Sequence, residues 1–276
     1  HLRFSLGPNW RRRPALRPEM SDAELDAAVA AGFETTSLLN RHVAIMRSVA
    51  ARSGAKLHLI IWEPPPLPGE PDLTQAKAPP WRVMRPETVT LAARFHVALL
   101  KAVAGTGMQL DAVELSNEPD GSWNIRIAPA DYLTLVRTVR SEAARRGVAL
   151  PRIFGPGASR VVETHPFFRD ETIARGILDA VDVVSLHGWD DAAGKDRNAE
   201  LDRLLARFAE LGRKPELAVT EFGVGLPDMR DKSPSMNARN RGEDNIGLSA
   251  AYGSYSTRDL LKLYAGKVGL AIQWDC

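Results

Sequence analysis

The sequence predicts an α/β fold, a (β/α)8 TIM barrel in which parallel strands alternate with helices. Three observations carry that prediction. Short apolar runs alternate with helical patterns almost throughout the chain. The runs lack the polar alternation of half-exposed strands, as expected of parallel strands buried on both faces. The rival arrangement, a doubly wound open sheet, commonly announces itself with Gly-x-Gly-x-x-Gly after its first strand, and that motif is absent.

Seven runs read as strands: Leu2–Gly7, Lys56–Trp62, Ala112–Asn117, Arg152–Gly157, Val181–His187, Glu216–Phe222 and Val268–Trp274. Between them, apolar spacings of three and four residues predict helices over Pro86–Val103, Asp131–Ala144, Leu201–Leu211 and Thr257–Tyr264. Pro129 suits a helix start, because its missing N–H falls where a helix has no partner for it. An eighth strand is either Phe33–Leu38 or a segment upstream of residue 1. The 276 residues contain no internal repeat and no linker, so 1–276 reads as a single domain. The chain opens and closes inside apolar, core-type runs, which carries the expectation that residues at one or both ends are missing.

Composition excludes several classes. At 44% hydrophobic and 25% charged, with a net charge of +2, the chain resembles an ordinary globular protein rather than a disordered or collagen-like one. Its single cysteine, Cys276, permits neither an internal disulfide nor a cysteine metal site. No uninterrupted apolar run approaches the roughly 20 residues of a membrane span, so no membrane partner is expected. The pI is near 8.8, but Lys and Arg are scattered rather than gathered in a stripe, so no nucleic-acid partner is expected.

In a barrel, functional side chains project from the C-terminal ends of the strands. Those ends read Arg3, Trp62-Glu63, Ser116-Asn117-Glu118-Pro119, His187-Gly188-Trp189-Asp190, Thr220-Glu221-Phe222-Gly223 and Gln273-Trp274. Two long loops, Glu63–Arg85 and Gly223–Asn245, follow strands directly and belong to the same rim. All six tryptophans, Trp10, Trp62, Trp81, Trp123, Trp189 and Trp274, fall at strand ends or in the following loops. A collar of indoles suits stacking on the apolar faces of sugar rings. It also suits simple closure of the barrel mouth.

Glu118 and Glu221 are the sharpest pair. A carboxylate at the end of a buried apolar strand is costly unless it faces a polar cavity. Two such groups across a small cleft can cleave a glycosidic bond, one donating a proton and the other attacking the anomeric carbon. They can equally serve as caps for the helices that follow their strands.

Asn117-Glu118-Pro119 after an apolar strand resembles the acid/base motif of the clan A glycoside hydrolases, which are (β/α)8 barrels. Glu221, in Val219-Thr220-Glu221-Phe222-Gly223 and 103 residues further on, resembles the nucleophile of that clan. The resemblance places these residues on the fourth and seventh strands of eight. On that count Phe33–Leu38 is no strand and the first strand precedes residue 1. Ile61-Trp62-Glu63-Pro64-Pro65, Arg3 and Tyr252-Gly253-Ser254-Tyr255 are most similar to family 30, with families 5 and 39 as relatives. The clan usually has His-x-Tyr where this chain reads His187-Gly188-Trp189.

The resemblance implies a single catalytic domain that cleaves β-glycosidic bonds with retention. Glu118 and Glu221 would be catalytic, and Arg3, Trp62, Asn117, Trp123, His187, Trp189 and Trp274 would bind substrate. Asn117 would hold the sugar 2-hydroxyl, Arg3 would keep Glu221 ionised, and Trp274 would floor the subsite at the cleavage point. An oligosaccharide or polysaccharide is the implied partner, and the substrate class alone carries the expectation of a secreted or periplasmic protein. No His or carboxylate group shows metal-ligand spacing, so neither a metal nor another cofactor is expected. A sugar-binding barrel that has lost turnover is the alternative reading.

Overall fold

The computed structural model of the chain describes residues 1–6, 13–33, 38–70, 82–121, 124–188, 197–222 and 268–273. Seven parallel strands, paired in sequence order, form a nearly closed barrel: β1 (Leu2–Ser5), β2 (Leu57–Ile60), β3 (Ala112–Glu114), β4 (Arg152–Ala158), β5 (Val183–His187), β6 (Leu217–Phe222) and β7 (Leu270–Gln273). Each overlaps one of the seven expected runs. Register is set residue by residue, with Arg3 beside His58, Ile60 beside Glu114, and Glu114 beside Phe154. Every residue of β2, β3, β5 and β6 is buried, which is why those runs lack alternation in sequence.

The outer layer holds α1 (Asp22–Gly32), α2 (Leu38–Ser53), α3 (Val89–Gly105), α4 (Pro129–Arg145), α5 (Val161–Thr164), α6 (Glu171–Ala180) and α7 (Arg197–Glu210). Local chemistry starts several of them. Ser21 accepts from the Glu24 N–H at 3.2 Å while the Glu24 carboxylate accepts from the Ser21 N–H at 2.6 Å, a capping box for α1. Asp170 caps α6 through the Ile173 N–H at 2.9 Å, and Pro129 opens α4. Buried apolar residues from α3 and α4, among them Phe95, Leu99, Leu135, Val136 and Val139, join the inter-layer core.

The sequence reading assigned no helix to α1, α2, α5 or α6. α1 buries only Leu25 and Val29 as large side chains, so its apolar stripe is thin, whereas α6 is clearly amphipathic but only ten residues long, short for a periodic reading. The expected helix Thr257–Tyr264 lies outside the described residues, as do residues 34–37 of the possible strand Phe33–Leu38, which is flanked by α1 and α2. Pro86–Gly105 is long and apolar enough to cross a membrane by length and composition alone, but 67% of its apolar window is buried inside the protein. It is the core helix α3 with its leading turn.

Candidate active site

Residues from four strand ends converge at the C-terminal mouth. Arg3 enters from β1 with its side chain almost wholly buried. Its Nε donates to Glu114 Oε2 at 2.9 Å, Nη1 to Glu221 Oε2 at 2.9 Å, and Nη2 to Asn117 Oδ1 at 3.0 Å. Nη2 also lies 3.2 Å from His187 Nε2. A guanidinium has no acceptor, so Nε2 must present its lone pair and the ring proton sits on Nδ1. That Nδ1 lies 2.8 Å from Glu118 Oε1 and donates to it. One arginine therefore sets both the Glu221 carboxylate and the tautomer of the histidine that meets Glu118.

The backbone at Glu118 is itself unusual. Its φ is +46, in the left-handed region, although it is not glycine and stands directly before Pro119. Residues before proline favour extended backbone, so this geometry costs about 1–3 kcal/mol. Two bonds hold it: the Glu118 N–H donates to Gly157 O at 2.9 Å, and its C=O accepts from the Gly121 N–H at 2.8 Å. Glu118 caps no helix, because α4 begins eleven residues later behind Ala128. Glu221 pairs with Arg3. The capping alternative for Glu118 is therefore set aside, and the two glutamates belong to one cluster. One oxygen of each lies within 4.8 Å of the other and of a His187 nitrogen.

The electrostatics follow from burial and pairing. Burial would raise the Glu114 pKa, but Arg3, with smaller help from His58, His187 and the Thr220 hydroxyl, brings it down to about 2. Burial lowers that of His187, yet Glu221 and the bond to Glu118 outweigh it, and the net direction is up. His58 is driven down to about 4 by burial.

Sequence reasoning missed the layer beneath the mouth. Glu114 lies four residues before Glu118, and Thr220 Oγ1 donates to its Oε1 at 2.7 Å. His58 Nε2 sits 3.6 Å from its Oε2. The available signal was a lone Glu and a lone His inside apolar runs, with Glu114 in register by twos with Ser116 and Glu118. The Gly-Pro-Gly of β4 makes room for this layer. A Cβ on Gly155 would fall 1.7 Å from the Tyr132 hydroxyl, and one on Gly157, whose φ is +67, would fall 3.2 Å from Glu114 Oε1.

Trp62 stands apart from the Arg3 cluster, its indole N–H donating to Asn124 Oδ1. Beside it, buried Arg82 ties down the first rim loop, donating to Glu63 at 2.8 Å, Glu70 at 2.9 Å and the carbonyls of Pro64 and Pro65. Trp123, Trp189 and Trp274 lie outside the described residues, as do loop 223–245 and Tyr252-Gly253-Ser254-Tyr255. A separate concavity of about 850 Å³, lined by Arg47, Lys56, Met108 and Asp111 among others, opens at the opposite end of the barrel.

Glu118, His187 and Glu221 could each offer one atom to a metal ion. The sequence showed no such spacing because the three residues come from three separate strand ends. Arg3 already balances Glu221 at 2.9 Å, so a cation placed there would compete with a fixed guanidinium.

No family model and no curated protein matches the chain. Solved structures do. A family 30 endoxylanase from Clostridium papyrosolvens is 18% identical with a TM-score of 0.55, covering 93% of this chain and 56% of the other. A conserved exported protein from Bacteroides fragilis is 14% identical with a TM-score of 0.58, covering 83% and 50%. A fungal β-1,4-galactanase is 12% identical with a TM-score of 0.54, covering 95% and 83%. The chain spans about half the length of the first two. The likeness shows the (β/α)8-barrel fold, shared with these structures, among them one of family 30.

Proposed function

We propose that this chain is the catalytic domain of a retaining β-glycosidase, with Glu221 as nucleophile and Glu118 as general acid and then base. The observation that carries the reading is the facing pair of carboxylates, one held by Arg3 and the other by His187, with oxygens within 4.8 Å. Double displacement works with carboxyl groups about 5–5.5 Å apart, whereas inversion needs about 6.5–9.5 Å to admit a water. The separation supports the former.

In the first step Glu221 attacks the anomeric carbon while Glu118 gives its proton to the leaving oxygen. His187 donates to Oε1 of Glu118, so the transferable proton belongs on Oε2. In the second step Glu118 takes a proton from water, which displaces Glu221 and restores the original configuration. Asn117, oriented by Arg3 at 3.0 Å, would hold the sugar 2-hydroxyl. Trp62, Trp123, Trp189 and Trp274 would form the cleft's stacking surfaces. The substrate is an oligosaccharide or polysaccharide, which fits a secreted or periplasmic protein. Residues 1–276 would act as one domain.

The test is turnover of a panel of aryl β-glycosides and polysaccharides, with the anomeric product followed by NMR. Glu221→Gly should lose turnover, and azide should partly restore Glu118→Ala on substrates with good leaving groups, because azide attacks the glycosyl-enzyme without a base. Binding of glycans without turnover would favour the sugar-binding barrel instead.

A further inference from the structure

Beneath the two glutamates lies a third that the proposed chemistry does not use. Glu114 is fully buried on β3, and its two oxygens are held from two other strands. Oε2 accepts from Arg3 Nε on β1 at 2.9 Å, and Oε1 accepts from Thr220 Oγ1 on β6 at 2.7 Å. A carboxylate in the apolar interior of a barrel carries a large desolvation cost. Aliphatic packing could stabilise this layer without that cost, since replacing a buried ion pair with apolar groups is often neutral or better. The pair's geometry therefore calls for an explanation beyond stability.

Arg3 supplies it. Its guanidinium reaches Glu221 through Nη1 and both Asn117 and His187 through Nη2. Those bonds require one rotation of the guanidinium plane, and Nε is the atom that fixes this rotation from behind. The Gly157 backbone, at φ +67 and without a side chain, leaves the Glu114 carboxylate room to lie there.

We propose that Glu114, anchored by Thr220, is a positioning residue that sets the Arg3 guanidinium and, through it, the Glu221 carboxylate and the ring proton of His187. The proposal deepens the glycosidase reading and rests on it for its kinetic arm. Its spectroscopic arm does not.

The experiment uses the full chain with ¹⁵N-labelled histidine and three variants. Glu114→Ala removes the anchor. Glu114→Gln keeps an acceptor for Arg3 Nε in the same volume, and Thr220→Val removes only the hydroxyl bond. In the parent, at a pH above the His187 titration, ring ¹⁵N shifts of His187 should report a neutral imidazole protonated on Nδ1. Glu114→Ala should mix the two tautomers, and Glu114→Gln should restore the parent pattern. On the best aryl glycoside, Glu114→Ala should lower kcat by about a hundredfold with KM little changed, the scale of a misplaced reacting group. Thr220→Val should lower kcat about tenfold, the scale of one bond to a charged group, and it carries the test if Glu114→Ala does not fold.

An unchanged His187 tautomer in folded Glu114→Ala, or an unchanged kcat in Thr220→Val with only a lower Tm, would overturn the proposal and leave Glu114 a purely structural ion. If the parent turns over no glycoside, the glycosidase reading fails and the tautomer measurement decides this one.

Discussion

Replacing Arg3 with alanine removes a cation that serves two carboxylates at the barrel mouth, so it should lower activity and cost stability in a pH-dependent way. Two unit charges about 4 Å apart at an effective dielectric of about 20 interact by about 4 kcal/mol. A carboxylate that loses such a partner becomes harder to ionise, by about 1–3 pH units. Arg3 also donates to Glu221 at 2.9 Å, so the variant should lower kcat on an aryl glycoside because that carboxylate is no longer held in place. The stability effect comes from Glu114. Its pKa is about 2 against an ordinary 4.5, so its ionised form contributes about 3 kcal/mol to folding. Because the folded value is the depressed one, that contribution is fully present above pH about 4.5 and is lost as pH falls through about 2. Arg3→Ala should therefore cost about 3–5 kcal/mol at pH 7, where it strands a buried charge. The difference from the parent should shrink steadily below pH about 4.5. Urea denaturation across pH, beside kcat on an aryl glycoside, measures both quantities. An unchanged kcat together with a pH-independent stability loss would refute the reasoning.

Three further outcomes are expected. Gly155→Ala should fail to fold or lose more than about 3 kcal/mol, because its Cβ would fall 1.7 Å from the Tyr132 hydroxyl; a Tm within a few degrees of the parent would show that Tyr132 can move aside. His58 is held neutral with its pKa near 4 rather than 6.5, flanked by Glu114, Arg3 and His187, so stability should fall by about 3 kcal/mol as pH drops through that window. His58→Leu should flatten the fall in denaturation curves, and an equally steep one would place the titration elsewhere. Trp274→Ala should keep the fold and lose about 1–3 kcal/mol of transition-state binding, the scale of ring stacking on an aromatic, read as kcat/KM on every substrate the parent cleaves.

Linear order was enough to determine the seven parallel strands, since a strand buried on both faces writes itself as a mostly apolar run without polar alternation and each of the seven overlaps its expected segment. It also placed Arg3, Asn117, Glu118, His187 and Glu221 at strand ends, and a barrel gathers strand ends at one mouth whatever the details of packing. The thin-striped helix α1 escaped the reading because alanine and glycine carry little periodic signal, and α6 because its ten residues are shorter than the window over which a helical period is read. What tertiary structure alone decided is the wiring. That Arg3 reaches Glu114, Glu221, Asn117 and His187 at once depends on strand stagger and side-chain direction across the barrel, which no local pattern encodes. Glu114 and His58 looked like interruptions in apolar runs. Only closing the sheet into a barrel turned their faces inward and made a buried charge tolerable by bringing a guanidinium from a strand 111 residues away.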